Sequence, residues 1–339
     1  MRKVKICLVG AGRAGEVHGD VYKNYIPESE IEAVFDIDIN KAQNLAFKYG
    51  LDSSRAFTNI EEAIKTAEFD AVVITTPTFT HKEYAIFAAK NKKHVFCEKP
   101  MCLSLEDCDE MIAECKKAEV ILQIGFMRRF DEGFLNAKKI ISEGEIGEPL
   151  IIKSVGRGPG LPGSWAFDLN NSNGMLAEVN SHDFDSIRWL AGANYKTIYA
   201  VAKNSKNFEI GEKFPDFYDN AAVVATLSNK VFGIIDSVCP CEYGYDARVE
   251  VVGTKGVIFI GYLNEHTTVT CTRNKEYVLP QFLSWKKRFH DAYIAEDKHF
   301  VDCILNNKNP LVSGEDGKYA VQAVLAANQS IKTGAPVNL

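Results

Sequence analysis

The sequence lacks any long uninterrupted apolar stretch, and a helix that spans a bilayer needs about 20 apolar residues. The apolar run near its start is too short for the core of a signal peptide, and no cleavage site follows it. We therefore expect a cytoplasmic protein without a membrane partner.

An excess of positive charge is also missing. The formal net charge is −6, and the densest basic segments, residues 90–93 and 286–288, are short enough to be solvated helix ends. Nucleic acid is therefore not an expected partner, because its recognition needs a basic patch or stripe.

The nine cysteines form no C-x-x-C pair. Cys239 and Cys241 are the tightest pair, and no matching pair of histidines accompanies them. We expect no metal site and predict reduced thiols, most of them buried.

A glycine turn follows the first predicted strand. Residues 4–9 form a largely apolar run that leads into GAGRAG at residues 10–15. Residues 14–25 can then form a helix and residues 31–35 a second strand. This context is typical of a dinucleotide-binding βαβ unit. The proposed cofactor residues of this turn are Gly10, Gly12, Arg13, Ala14 and Gly15.

Each glycine has a physical reason. Gly10 permits the tight turn, Gly12 lets the backbone approach a pyrophosphate, and Gly15 lets the helix pack closely on the strand. The helix that Arg13 and Ala14 begin offers free N–H groups to the anion.

Asp36 ends the second predicted strand, 21 residues after Gly15. A carboxylate there can accept hydrogen bonds from both ribose hydroxyls and would repel a 2′-phosphate. No arginine follows it, so NAD is favoured over NADP. Asp38 is predicted to cap the next helix.

Strands and helices alternate through residue 125, which predicts a doubly wound parallel sheet. Residue 58, a threonine, is the predicted cap of a helix within it. Residues 75–77, 98–100 and 126–129 follow strand ends, where such sheets bind ligands. We accordingly expect Thr75, Thr76, Pro77 and Glu98 to contact the cofactor, with His81 as a weaker candidate.

Beyond residue 125 the regular alternation of predicted strands and helices ends. Residues 156–163 are rich in glycine and proline and predict a loop, and residues 174–190 predict a helix. Residues 198–201, 221–227, 231–238, 248–252 and 257–260 alternate in the manner of antiparallel strands. We expect two domains, a dinucleotide-binding domain at 1–125 and a substrate-binding and oligomerisation domain at 126–339.

Two groups could move protons. Lys99 lies on an extended turn because Pro100 disfavours helical geometry before it, and it could stabilise an alkoxide or pass on a proton. Glu178 and His182 are four residues apart on the predicted helix, so the acid could orient the imidazole as a general base. From spacing alone a surface lysine and a surface ion pair remain the alternatives.

The combination of GAGRAG, the acid at position 36, TTPTFTH, CEKP and GMLAEVNSHDFD resembles the Gfo/Idh/MocA oxidoreductases over nearly the whole chain. Within that family, GFMRRFDEGF, EYGYDARVEVVGTKG and RFHDAYIAEDKHFVDCI are similar to segments of the inositol 2-dehydrogenase group. The resemblance implies a Rossmann domain followed by an α+β domain with an open, mainly antiparallel sheet, whose outer face builds dimers or tetramers.

The resemblance also implies roles. His182 would take the proton with help from Lys99, and Glu98 would lie near the nicotinamide ribose. The residues implied to contact the polyol are Arg128, Asn180, Tyr245 and Tyr293.

Glu178 departs from the aspartate of the inositol enzymes. The longer side chain moves the carboxylate, so other inositols or a pyranose stay open as substrates.

The expected activity is NAD-dependent oxidation of a secondary hydroxyl of a cyclic polyol. The alternatives are a sugar dehydrogenase, a ketoreductase, or a non-catalytic NAD-binding regulator.

Overall fold

The computed structural model describes residues 2–271, 273, 274, 277, 278 and 280–339. The predicted domain limits 1–125 and 126–339 therefore include a few residues outside the described set.

These residues form two compact units. The first comprises the chain up to Phe130 together with Asp291–Val321, and the second comprises Asp131–His290 together with Gln322–Leu339. Residues 291–321 thus belong to the first unit, whereas a single division after residue 125 places them in the second domain.

The first unit contains a six-stranded sheet. Its strands and helices up to residue 125 are β1 (Val4–Val9), α1 (Arg13–Tyr25), β2 (Ser29–Phe35), α2 (Ile39–Lys48), β3 (Ala56–Phe57), α3 (Ile60–Thr66), β4 (Ala71–Ile74), α4 (His81–Lys90), β5 (His94–Glu98), α5 (Leu105–Ala118) and β6 (Leu122–Gly125). The strand order is β3-β2-β1-β4-β5-β6 and every pair is parallel. The predicted doubly wound parallel sheet is confirmed.

Burial explains why these segments become strands. β4 is buried along its whole length, and β1 is buried at every position but one, as expected of a sheet covered on both faces. Asp38 caps α2 as predicted, with its carboxylate accepting from the N–H of Asn40.

The predicted cap at Thr58 is wrong. Asn59 is the N-cap of α3, and its side-chain oxygen accepts from the N–H groups of Glu61 and Glu62. An asparagine at this position satisfies two of the unpaired donors of the first turn.

The second unit contains a seven-stranded sheet. The elements from residue 132 onward are α6 (Glu132–Ser142), β7 (Pro149–Arg157), α7 (Leu169–Ser172), α8 (Met175–Glu178), α9 (Ser181–Ala191), β8 (Tyr195–Lys203), α10 (Phe208–Lys213), β9 (Asn220–Leu227), β10 (Phe232–Val238), β11 (Asp246–Gly253), β12 (Val257–Ile260), β13 (Thr270–Cys271), β14 (Tyr277–Val278), α11 (Trp285–Arg288), α12 (His290–Asn306), α13 (Gly314–Thr333) and β15 (Val337–Asn338). The sheet order is β12-β11-β7-β10-β9-β8-β15. All pairs are antiparallel except β7 with β10, so the predicted mainly antiparallel sheet is confirmed.

β7 corrects the predicted loop at residues 156–163. The strand extends through Gly156 and Arg157, and it pairs with β11 on one side and β10 on the other.

Within the described ranges, no helix is both long enough and apolar enough to cross a membrane.

Candidate active site

The glycine turn joins β1 to α1. Gly10 has φ +109°, and a Cβ there would lie 2.9 Å from the carbonyl carbon of Thr75. A Cβ on Gly15 would lie 2.0 Å from the carbonyl oxygen of Gly10. Both positions therefore require glycine, as the tight turn and the close packing of helix on strand predict.

Gly12 differs from its neighbours. It precedes α1 with φ −86° and ψ −167°, no side chain caps the helix, and a Cβ at this residue would meet no protein atom within 4 Å. Arg13 is exposed and Ala14 is half-buried at the start of the helix. An open backbone at an uncapped N-terminus of a 13-residue helix fits the pyrophosphate of a dinucleotide.

Asp36 lies directly beyond β2, half-buried. Its Oδ2 accepts from the N–H of Ala11 at 2.8 Å and its Oδ1 accepts from the N–H of Asp38 at 2.9 Å. Each carboxylate oxygen has a second lone pair, so the group can also accept from ribose hydroxyls. Asp36 therefore fixes the glycine turn and keeps lone pairs that could accept from a ribose.

The turn after β4 is held by its own side chains. The Thr75 hydroxyl donates to the carbonyl of Gly10 at 3.0 Å, and the Thr80 hydroxyl donates to the Thr76 hydroxyl at 2.7 Å. The carbonyl of Pro77 accepts from the N–H of Thr80.

His81 is buried and bridges two turns. Its Nε2 lies 2.8 Å from the carbonyl oxygen of Thr76 and its Nδ1 lies 2.9 Å from that of Pro100. Burial lowers the pKa of His81. The imidazole thus links the turn after β4 to the turn after β5, which is a structural role. Its contact with the cofactor stays a prediction.

Glu98 ends β5 and Lys99 follows it directly. Glu98 is buried, and its Oε2 accepts from the N–H of Lys99 at 3.0 Å. The Lys99 side chain is half-buried, and the Lys99–Pro100 peptide bond is cis.

His18 is not among the residues that the sequence pattern indicated, yet its Nε2 lies 3.0 Å from Oε1 of Glu98. Nothing local in the sequence connects the two residues, which are 80 positions apart. His18 and its partner Asp297 are the residues near the site that the sequence pattern missed.

Two predicted polyol ligands belong to the first unit. Arg128 is 2% exposed in a short 3₁₀ segment, Met127–Phe130. Tyr293 is buried in α12, and its ring meets that of His18 edge-on with centroids 5.4 Å apart.

The second unit corrects the predicted helix at 174–190. The segment forms two helices, because α8 ends at Glu178 and α9 begins at Ser181. Glu178 and His182 are therefore not on one continuous helical face, which removes the spacing argument for their pairing. Glu178 is half-buried and His182 is buried.

Asn180 explains the break. Its amide nitrogen donates to the carbonyl of Gly156 at 3.2 Å and to Oδ2 of Asp183 at 2.8 Å, while its oxygen accepts from the Ser237 hydroxyl at 2.6 Å. Such side-chain bonds compete with regular helical geometry.

The Asn180 side chain has no exposed surface and both of its amide hydrogens are used inside the unit, so its contact with the substrate stays a prediction. We assign Asn180 the role of stabilising the start of α9.

Tyr245 is half-buried and precedes β11, and its ring centroid lies 6.1 Å from that of Phe289.

Most cysteines are buried, as predicted: eight of the nine are buried and Cys271 is exposed. Among the described residues, no group of three or more His, Cys, Asp or Glu side chains could hold a metal ion.

Comparison with known proteins covers the whole chain. Residues 4–126 match the Gfo/Idh/MocA model described as an oxidoreductase family with an NAD-binding Rossmann fold, and residues 138–339 match its C-terminal alpha/beta domain. The chain is 35% identical to a myo-inositol 2-dehydrogenase of Thermotoga maritima, covering 99% of this chain and 98% of the relative.

Two further similarities concern inositol enzymes. The chain is 33% identical to a scyllo-inositol 2-dehydrogenase (NAD(+)) of Bacillus subtilis, covering 99% of this chain and 96% of the relative. It is 26% identical, with a TM-score of 0.91 and 99% coverage of both chains, to a scyllo-inositol dehydrogenase of Lactobacillus casei solved with bound NAD(H) and scyllo-inositol.

Proposed function

Since the chain belongs to the Gfo/Idh/MocA family of NAD-dependent dehydrogenases that act on CH–OH groups, we propose that it oxidises a secondary hydroxyl of an inositol. The observation that carries this proposal is the full-length similarity to enzymes named for myo- and scyllo-inositol. The presence of Lys99 and His182 at the positions that the family uses for proton transfer supports an enzyme rather than a non-catalytic regulator.

The first unit is an NAD-binding Rossmann domain, and NAD, when bound, supplies the hydride acceptor. The open backbone at Gly12 and the first N–H groups of α1 would hold its pyrophosphate, and Asp36 would hold the adenosine ribose. A carboxylate at position 36 without a following arginine favours NAD over NADP.

For the substrate, His182 removes the proton from the reacting hydroxyl, and Lys99 stabilises the alkoxide that results. Glu178 is the acid that the resemblance pairs with His182. The remaining hydroxyls of the ring are bound by Arg128, Tyr245 and Tyr293. Because Glu178 replaces the shorter aspartate of the inositol enzymes, the preferred stereoisomer is expected to differ from that of enzymes with aspartate.

The activity is tested by incubating the purified chain with NAD and, separately, myo-, scyllo- and chiro-inositol and glucose, while NADH absorbance is recorded. Oxidation of at least one inositol at a higher kcat/KM than glucose is the expected result, and replacement of NAD by NADP should lower the rate. If no polyol reduces NAD and none of the matching ketones oxidises NADH, the proposal is wrong.

Removal of the proton-transfer groups gives a second test. Lys99→Met and His182→Ala should each lower kcat by roughly 10²–10⁴-fold, because general acid–base catalysis contributes about that much. Fluorescence titration with NADH should give a nearly unchanged Kd for both variants. Lys90→Met and His266→Ala, which alter exposed residues of the two units, are the controls and should keep full turnover.

We also propose that the protein is a homo-oligomer. One face of the seven-stranded sheet exposes Tyr199, Val224, Phe232 and Ile151, which lie on the neighbouring strands β8, β9, β10 and β7. Contiguous exposed apolar surface of this kind marks an interaction face. A second copy of the chain is the occupant that the family resemblance supports.

A further inference from the structure

Three buried ionisable side chains form a continuous chain of hydrogen bonds in the first unit. Asp297 of α12 lies with its two carboxylate oxygens 2.8 and 2.9 Å from Nδ1 of His18 in α1. On the other side of the ring, Nε2 of His18 lies 3.0 Å from Oε1 of Glu98. Neither His18 nor Asp297 has exposed surface.

The partners determine the charge of the imidazole. An ionised carboxylate can only accept hydrogen bonds, so an imidazole between two carboxylates satisfies both when each nitrogen donates, which makes it an imidazolium. Burial opposes that charge, but the charges and hydrogen bonds of Asp297 and Glu98 outweigh it and raise the pKa of His18 well above its ordinary value. Against its own burial, the hydrogen bond and charge of His18 lower the pKa of Glu98.

The residues packed around His18 and Glu98 restrict the movement of both side chains. The rings of Phe96 and Tyr293 meet the His18 ring edge-on, with centroids 4.9 and 5.4 Å away. A Cβ on Gly125 would lie 3.1 Å from the carboxyl carbon of Glu98, so the glycine backbone forms a close wall beside that carboxylate.

We propose that His18, anchored by Asp297, is a positioning residue that fixes the carboxylate of Glu98 and, through it, the backbone N–H of Lys99. The second link is the hydrogen bond from that N–H to Oε2 of Glu98 at 3.0 Å. A carboxylate bound at both oxygens, one of them by a charged donor, cannot rotate freely. The inference rests on the proposed function only in assuming that Glu98 and Lys99 serve the nicotinamide end of the site.

The charge and hydrogen bond of Asp297 raise the pKa of His18, as do those of Glu98, while burial raises the pKa of Asp297 itself. Other titratable groups surround His18, Asp297 and Glu98. They are Tyr22 on α1, Tyr293 and Glu296 on α12, Cys97 on β5, Lys99 on the turn after β5, and His81 on α4. Removal of the Asp297 charge should bring the pKa of His18 back toward its ordinary range, so that the imidazole becomes neutral as the pH rises past neutrality.

The test compares three variants by fluorescence titration with NADH alone between pH 5.5 and 8.5. The unmodified chain should give a flat Kd profile across this range. Asp297→Asn should match it at pH 5.5 and bind NADH roughly three- to tenfold more weakly at pH 8.5. His18→Leu should bind about tenfold more weakly at every pH, whereas His18→Gln, which can still donate to Glu98, should recover most of the affinity and give a flat profile.

His94→Gln is the matched control, since His94 begins the same strand, β5, that Glu98 ends. The proposal is overturned if Asp297→Asn shows no more pH dependence than this control, or if His18→Leu folds and binds NADH within twofold of the unmodified chain. Because NADH is the probe, failure of every polyol to react would reject the proposed function and leave this result independent of it.

Discussion

Gly12 and Gly15 lie three residues apart in one motif, but different neighbours require them. The Cβ that Gly15 lacks would collide with the backbone of Gly10, whereas the Cβ that Gly12 lacks would enter space that contains no protein atom within 4 Å. Packing therefore explains Gly15, whereas the proposed pyrophosphate site accounts for Gly12.

This difference predicts opposite phenotypes. Gly15→Ala should destabilise the protein by about 2 kcal/mol or more, because overpacked sites typically cost 1–3 kcal/mol. Gly12→Ala should change stability by about 1 kcal/mol or less, the cost of a poorer N-cap, and should weaken NADH binding at least tenfold. Urea unfolding and NADH titration measure the two effects.

Gly160→Ala is the control for both variants, since a Cβ at Gly160 also meets nothing within 4 Å. Tight NADH binding by Gly12→Ala would show that the pyrophosphate lies elsewhere.

At the scale of elements, the interruption between α8 and α9 depends on a buried polar network. Asp183 has no exposed surface and accepts from the Ser154 hydroxyl at 2.5 Å and from Asn180 at 2.8 Å. A Cβ on Gly156 would lie 2.1 Å from Oδ2 of Asp183, so this position of β7 must be glycine. The network fixes the first turn of α9, which carries His182.

Asn180→Leu should therefore destabilise the second unit by roughly 2–4 kcal/mol, because buried polar partners left unsatisfied cost about 1–3 kcal/mol each. Urea unfolding followed by circular dichroism measures the change. Asn170→Leu, which removes an exposed amide bonded to Asp168 at 2.9 Å, should cost well under 1 kcal/mol. Equal effects of the two substitutions would contradict a structural role for the network.

The elements also differ in how well the sequence predicts them. β1, α1 and β2 follow from a buried apolar run, a glycine turn and a terminal acid that act over short distances. β7 was missed because its glycine and arginine continue into a segment rich in glycine and proline, and its pairing with β10 and β11 joins residues about 80 and 90 positions away. The break at Asn180 depends on Ser237 and Gly156, and local periodicity contains neither contact.

At the scale of the whole molecule, the exposed face of the second sheet is the surface proposed for assembly. Across it, Tyr199 pairs with Val224, Val224 with Ile234, and Phe232 with Ile151. The opposite face of β7 and β10 is packed against α9. A sheet with one apolar face left open is expected to bury that face against another copy.

Charges on this face should dissociate the oligomer. Val224→Lys and Phe232→Lys together are expected to convert it to a smaller species in size-exclusion chromatography with light scattering, because burying unpaired lysines is unfavourable. Phe208→Lys, on an exposed helical residue outside the sheet, should leave the mass unchanged. A monomeric unmodified chain would reject the proposed assembly.

By itself the sequence determined the parallel sheet, the dinucleotide turn, the mainly antiparallel second sheet and the family, because these depend on local periodicity and on residue types at fixed spacing. Only the tertiary structure decided that residues 291–321 join the first unit, that Asn180 supports α9, and that His18 joins Asp297 to Glu98. Each of these depends on contacts between distant segments, such as the 279 positions that separate His18 from Asp297. Hydrogen bonds and charges act through space, and the burial that makes them strong exists only once the chain has folded.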